Sequence, residues 1–186
     1  MKEVSKALED FVRLFANLGV QYAVMGGIAV RTHGIPRPTQ DVDFTVAIER
    51  SRLPAFYEAA CRLGYTVPES YVSGWVDQVA GMPLVRVRRY VEGRGVDVDV
   101  FLAESPFQRE LLGRARIEQI DDLPMRVVTA EDLILLKLLA HRHRDIADVG
   151  DILFTQGQVD EAYLRRWAKE LGVLAELESV LAEPPQ

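Results

Sequence analysis

The stretch that most constrains this chain runs from Val24 to Phe44. An apolar run, Tyr22 to Met25, reads as a buried strand and stops at the pair Gly26-Gly27. A short helical stretch, Ile28 to His33, follows, and then a turn rich in glycine and proline. The chain re-enters an apolar strand, Asp41 to Ala47, that carries Asp41 and Asp43. Side chains two apart on a strand point the same way, so both acids face one site. They repel each other unless a cation lies between them. Glycines between a strand and a helix let backbone N–H groups approach a phosphate at the positive helix end. One stretch therefore offers a phosphate cradle beside a metal-binding pair.

Val96 to Val100 repeats the arrangement, with Asp97 and Asp99 on one strand face. Buried strands seldom place acids on alternate positions without a partner for them. The bland alternative is a solvent-exposed outer face of an antiparallel sheet. Hard oxygen ligands favour Mg²⁺, or Mn²⁺ in its place.

Gly26-Gly27 followed by Arg37-x-Thr39-x-Asp41-x-Asp43 resembles the nucleotidyltransferase superfamily, whose signature is Gly-Ser or Gly-Gly, a spacer, then Asp-x-Asp. Within it the chain is most similar to AbiEii-type toxin nucleotidyltransferases, and it shares the Gly-Gly form with small aminoglycoside nucleotidyltransferases. The resemblance covers roughly residues 20 to 155. It implies in-line attack of an acceptor hydroxyl on the α-phosphate of a nucleoside triphosphate, with pyrophosphate leaving. Asp41 and Asp43 would hold a metal and the nucleotide phosphates. Asp99 would be the third carboxylate, the ligand of a second metal and acceptor of the hydroxyl proton, with Asp97 as the fallback. Gly26, Gly27, Arg37 and Thr39 would line the nucleotide. Arg37 and Thr39 either contact a phosphate or fix the loop. Gly27 stands where many members have serine, so a hydroxyl contact is lost while the backbone N–H remains.

In the resembling proteins a lysine at the position of Lys137 reaches the nucleotide phosphates. It lies among Leu133, Ile134, Leu135, Leu136, Leu138 and Leu139, where an unpaired ammonium is costly; the alternative is that it snorkels from the helix edge. Arg144-Asp145-x-x-Asp148 resembles a closing signature of the toxin-like subgroup, and pairing with nearby arginines explains both acids equally well. The three histidines lack the spacing of a zinc site. Arg86, Arg88, Arg89 and Arg94 form a basic hairpin that reads as a solvated face or as a patch for an RNA backbone. Trp75 and Trp167 read as packing residues.

Around these motifs, Val4, Leu8, Phe11, Val12, Phe15 and Leu18 mark an amphipathic first helix. Ser51 reads as the cap of a helix through Leu63, and the lone Cys61 as lying on its buried face. Residues 66–83 read as a lid or an ordinary connection. Alternation from Val85 to Val91 and from Val96 to Leu102, around Glu92-Gly-Arg-Gly95, predicts an antiparallel hairpin. Ser105 opens a helix, Met125 to Val128 is a strand, and Thr129 caps the apolar helix. Helices over 144–154, 161–171 and 174–181 lead to a frayed tail from Glu183.

The fold class expected is α/β (α+β): a small mixed sheet flanked by helices, with C-terminal helices. Residues 1–155 form the nucleotidyltransferase-like domain, and 156–186 are a helical extension of it. The start is charged and no apolar run approaches about 20 residues, which points to a cytoplasmic protein with no membrane partner. A net charge of −6 argues against broad nucleic-acid coating. The expected acceptor is tRNA, a protein or a small hydroxylated molecule such as an aminoglycoside. The toxin-like relatives bring in a toxin–antitoxin role and an antitoxin partner. The competing readings are an inactive nucleotide- or partner-binding protein on the same fold, and a metal-dependent phosphoesterase, for which the histidines are missing.

Overall fold

The structure is a computed structural model that describes residues 2–91 and 94–182. Glu92 and Gly93 of the expected turn, the Arg94 side chain and the tail from Glu183 lie outside the described residues.

Seven strands form one mixed sheet: Tyr22–Met25 (β1), Val42–Val46 (β2), Asp77–Val79 (β3), Met82–Val91 (β4), Arg94–Leu102 (β5), Arg116–Ile120 (β6) and Leu123–Val127 (β7). Their order across the sheet is β3-β4-β5-β2-β1-β7-β6. The central strands are not a simple meander. β2 runs antiparallel to β1 but parallel to β5, and β1 runs parallel to β7. The acid strand is thus flanked by the strand before the glycine pair and by the second acid strand.

Period-2 alternation sorts the residues. Val42, Phe44 and Val46 of β2, with Val98, Val100 and Leu102 of β5, are fully buried on one face. That face is sealed by the helix Lys2–Leu18 (α1), whose Phe11 and Phe15 meet Phe44 at ring-centroid distances of 6.1 and 5.1 Å. Phe56, from the helix Leu53–Arg62 (α3), completes the aromatic cluster. The acids are left to the opposite face.

Between β1 and β2 lies the short helix Gly26–His33 (α2). Beyond α3 come the single turn Glu69–Val72 (α4) and, after β5, the helix Pro106–Arg114 (α5), which Ser105 and Gln108 close with a capping box. Thr129 accepts from the backbone N–H of Asp132 and opens the helix Ala130–Ala140 (α6). The helices His143–Gln156 (α7), Glu161–Leu171 (α8) and Leu174–Ala182 (α9) finish the chain. Tyr163 of α8 donates a 2.5 Å hydrogen bond to the buried Asp132, tying the C-terminal helices to α6. Among the described residues no helix is long and apolar enough to cross a membrane.

Several local expectations need correction. Ser51 caps nothing; it lies in a 3₁₀ turn, Arg50–Arg52, and α3 starts two residues later with Pro54 in its first turn. Cys61 is exposed: the buried face of α3 is made by Leu53, Phe56, Tyr57 and Ala60, and Cys61 is turned about 100° round the helix from Ala60. Residues 66–83 are not mere connection: they hold α4, the edge strand β3 and the start of β4. Trp75 is 60% exposed, with its indole N–H donated to Asp77, whereas Trp167 does pack, against Phe107. β6 was not foreseen, since Arg-Ile-Glu-Gln-Ile at a sheet edge shows no buried face.

Candidate active site

The site is assembled where β1 ends. Gly26 begins α2 with φ +63°, in the left-handed region that favours glycine. A Cβ there would fall inside the Asp43 carboxylate, so the second glycine-specific demand is space. Gly27 is equally confined, because a Cβ on it would lie 2.7 Å from Thr39 Oγ1 and 3.0 Å from Thr39 Cβ. Thr39 itself donates to the carbonyl of Asp41 at 3.3 Å. The missing serine of the signature is therefore matched by a threonine that occupies its place from the other side of the loop.

Asp43 of β2 pairs with Met25 on one side and Asp99 of β5 on the other. Asp41 stands one residue ahead of β2 and is exposed, so it lies outside the strand expected to carry it. Among the described residues neither carboxylate has a hydrogen-bond donor or a cation at ion-pair distance. Burial, followed by the charges of Asp99 and Asp41, pushes Asp43 up to about 7, with Lys137 and Arg142 pulling the other way. Asp41 is raised as well, by burial and then by Asp97 and Asp99.

Asp99 is differently placed. It is 8% exposed, and Arg86 of β4, its cross-strand partner, donates two hydrogen bonds to it, at 2.5 and 2.7 Å. Arg88 does the same for Asp97, and the hydrogen bond from Arg88 holds the Asp97 carboxyl below its ordinary range against the effect of burial. The basic hairpin is thus neither a free solvated face nor an open patch at these positions. The structure brings Asp41, Asp43, Asp97 and Asp99 to one face but gives the latter two to arginines. Among the described residues no group of three acids, histidines or cysteines is arranged to hold a metal.

A second charge cluster lies beside the first. Lys137 is 4% exposed, so it does not snorkel; its ammonium donates to Asp145 at 2.9 Å and to Asp148 at 2.6 Å. Arg37 reaches Asp148 with two bonds of 2.7 Å, and Arg142 reaches Asp145 at 2.6 Å. Burial raises Asp145 and Asp148, but these hydrogen bonds outweigh it and hold both carboxyls below the ordinary range. Arg37 fixes its loop to α7, and Lys137 finds its partners on the same helix. Sequence reasoning left the roles of Asp145, Asp148 and Arg86 open. The alternating charges on both hairpin arms were the available signal for Arg86, and only the register was lacking.

A sequence profile described as "Nucleotidyl transferase AbiEii toxin, Type IV TA system" matches residues 8–179. The chain belongs to the AbiEii nucleotidyltransferase family. Solved structures agree on the fold. An antigenic nucleotidyltransferase-like protein from Paracoccidioides brasiliensis is 21% identical with a TM-score of 0.52, over 97% of this chain and 92% of that one. The antibiotic-resistance factor ANT(2″)-Ia is 15% identical with a TM-score of 0.55, over 97% and 94%. The lincosamide antibiotic adenylyltransferase LnuA, solved with lincomycin, is 17% identical with a TM-score of 0.52, over 79% and 94%. No curated protein matches. At these identities the neighbours show the AbiEii chain's fold, and the family profile shows that it is a nucleotidyltransferase.

The chemistry of the acid face fits a divalent cation at one place. Two unpartnered carboxylates, one of them holding its proton to about 7, are the hard-oxygen pair that such an ion would displace that proton to occupy. Asp41 and Asp43 would be the ligands of such an ion. Asp99 is not available to the same ion while Arg86 holds it.

Proposed function

We propose that this chain moves a nucleoside monophosphate from a nucleoside triphosphate to a hydroxyl acceptor in a Mg²⁺- or Mn²⁺-dependent reaction. The observation that carries the reading is the unpartnered pair Asp41 and Asp43, with Asp43 packed against a glycine turn into which a side chain would not fit. A bound divalent cation supplies neutralisation of phosphate charge at that pair.

The chain's own groups do the rest. Gly26 and Gly27 let the triphosphate approach the first backbone N–H groups of α2. Lys137 and Arg142 act on Asp43, and Arg37 joins them through Asp148; braced by Asp145 and Asp148, this cationic cluster offsets the charge of the triphosphate. The acceptor oxygen attacks the α-phosphorus as the bond to the bridging oxygen breaks, and pyrophosphate leaves. The hydroxyl proton passes to a carboxylate of the face, for which Asp99 is next to Asp43 across the sheet. The acceptor is tRNA, a protein or a small hydroxylated molecule. The family's description as a toxin supports a toxin role with an antitoxin protein as partner.

The test is label transfer from each α-³²P-labelled nucleoside triphosphate, with Mg²⁺, to total tRNA, cell extract and an aminoglycoside panel. Label in one acceptor class that vanishes in Asp41→Ala and Asp43→Ala supports transfer and names the acceptor. Metal-dependent nucleotide binding without transfer to any acceptor would favour the binding-only reading, in which the Arg86–Asp99 pair stays closed.

A further inference from the structure

We propose that Arg86 is a polyphosphate-binding side chain that frees Asp99 when it takes its ligand. The inference rests on the reading of Asp41 and Asp43 as cation ligands. Its basis is the way the pair is built. Asp99 is anchored in β5 and nearly buried, while the Arg86 side chain is 42% exposed and reaches it from the solvent side. An anion arriving over the face therefore meets the guanidinium first. The planar fork that holds a carboxylate with two parallel bonds holds a phosphate in the same way. Exchange from Asp99 to a phosphate replaces two charge-assisted hydrogen bonds with two others.

Arg88 marks the difference. It is held by Asp97 and also donates to the Tyr90 hydroxyl at 3.1 Å, and it lies one pair of residues further from the Asp43–Asp99 row. Among the described residues Arg86 has no hydrogen-bond partner besides Asp99; Asp97, at 3.9 Å, and Asp77, Tyr71 and Asp41 act on it electrostatically without a hydrogen bond. Its hydrogen bonds to Asp99 are what an incoming anion must replace. Once Arg86 moves, Asp99 stands beside Asp43 on adjacent parallel strands, about 4.8 Å apart in the pairing direction, where both can face one cation. Ligand and third carboxylate are thereby coupled: the triphosphate that needs the metal is what releases the acid.

The test is binding without turnover. Mn²⁺ titrations, read by the electron paramagnetic resonance of the free ion, compare wild type, Arg86→Gln, Asp99→Asn and the double variant. Arg86→Gln is expected to bind Mn²⁺ about tenfold more tightly, and the gain should be absent in the double variant. Inorganic tripolyphosphate added to the Mn²⁺-loaded protein is expected to bind Arg86→Gln about tenfold more weakly than wild type. Unchanged or weaker Mn²⁺ binding by Arg86→Gln, with its melting temperature retained, overturns the proposal. Should that variant not fold, Arg86→Lys keeps the charge without the fork, and equal tripolyphosphate affinity in it and wild type overturns the proposal too. If wild type binds Mn²⁺ and Asp43→Asn does not, yet Arg86→Gln matches wild type, only the role of Arg86 falls. If wild type binds no Mn²⁺, the metal reading falls with it.

Discussion

Replacing Asp43 by Asn should stabilise the metal-free protein, and the gain should depend on pH in one direction. The Asp43 carboxyl, ordinarily at 3.8, is pushed up to about 7 by burial and by Asp99 and Asp41. An acid raised on folding costs nothing below the unfolded value, because it is protonated in both states. The cost grows as pH rises from 3.8 and is complete above about 7. At 1.36 kcal/mol per pH unit the full cost is roughly 4 kcal/mol, and partial solvent exposure of Asp43 reduces it to roughly 2. Asp43→Asn should therefore raise the unfolding free energy by about 2 kcal/mol at pH 8 and by less at pH 5. Urea unfolding followed by circular dichroism in EDTA at the two pH values measures both. Added Mg²⁺ should then stabilise wild type and not the variant. A gain that is equal at pH 5 and pH 8, or larger at pH 5, would refute the crowded-carboxylate account of Asp43.

Asp148→Asn strips the shared partner from Arg37 and Lys137 and should lower stability by roughly 3–5 kcal/mol, measurable in the same urea assay. Gly26→Ala meets both a positive φ and the Asp43 carboxylate; a loss of more than about 2 kcal/mol is expected, with Mn²⁺ binding lost in a titration. Gly27→Ser should cost about 1–3 kcal/mol on its own and less in combination with Thr39→Ala, which removes the 2.7 Å contact with Oγ1 and leaves that with Cβ at 3.0 Å; equal costs in the two backgrounds would show that the Thr39 hydroxyl is not the obstacle. Phe11→Ala opens the aromatic cluster under β2 and should cost about 3–5 kcal/mol in urea unfolding.

What could be read from the sequence was what is local. The glycine pair, the alternate acids and the apolar run before them are features of one short stretch, and the structure places Gly26 against Asp43 as that stretch implied. Helix ends set by Ser105 and Thr129 were equally legible, because a cap depends on residues three apart. The partners of the charged groups were not. Arg86 meets Asp99 only through a hairpin register, and Lys137 meets Asp145 and Asp148 only through the angle between α6 and α7. Edge strands escaped for a different reason. β3 and β6 have little buried face, so the alternation that announces a strand is absent from them.

The two parallel pairings beside the acid strand also govern the order in which the chain comes together during synthesis. The strand carrying Asp43 meets β1 across a short connection, but Val42 must meet Val98 and Val24 must meet Val127, and those pairings wait for long loops to close. The β4–β5 hairpin has no such wait, because its arms are adjacent in the chain and hairpins close in microseconds. Asp99 can thus be matched to Arg86 before Asp43 arrives beside it, so its charge is already compensated when β2 and β5 pair. A ribosome-bound chain that has not yet released Val127 lacks the strand that backs the glycine turn, so the working face comes into being only after β7 has been made.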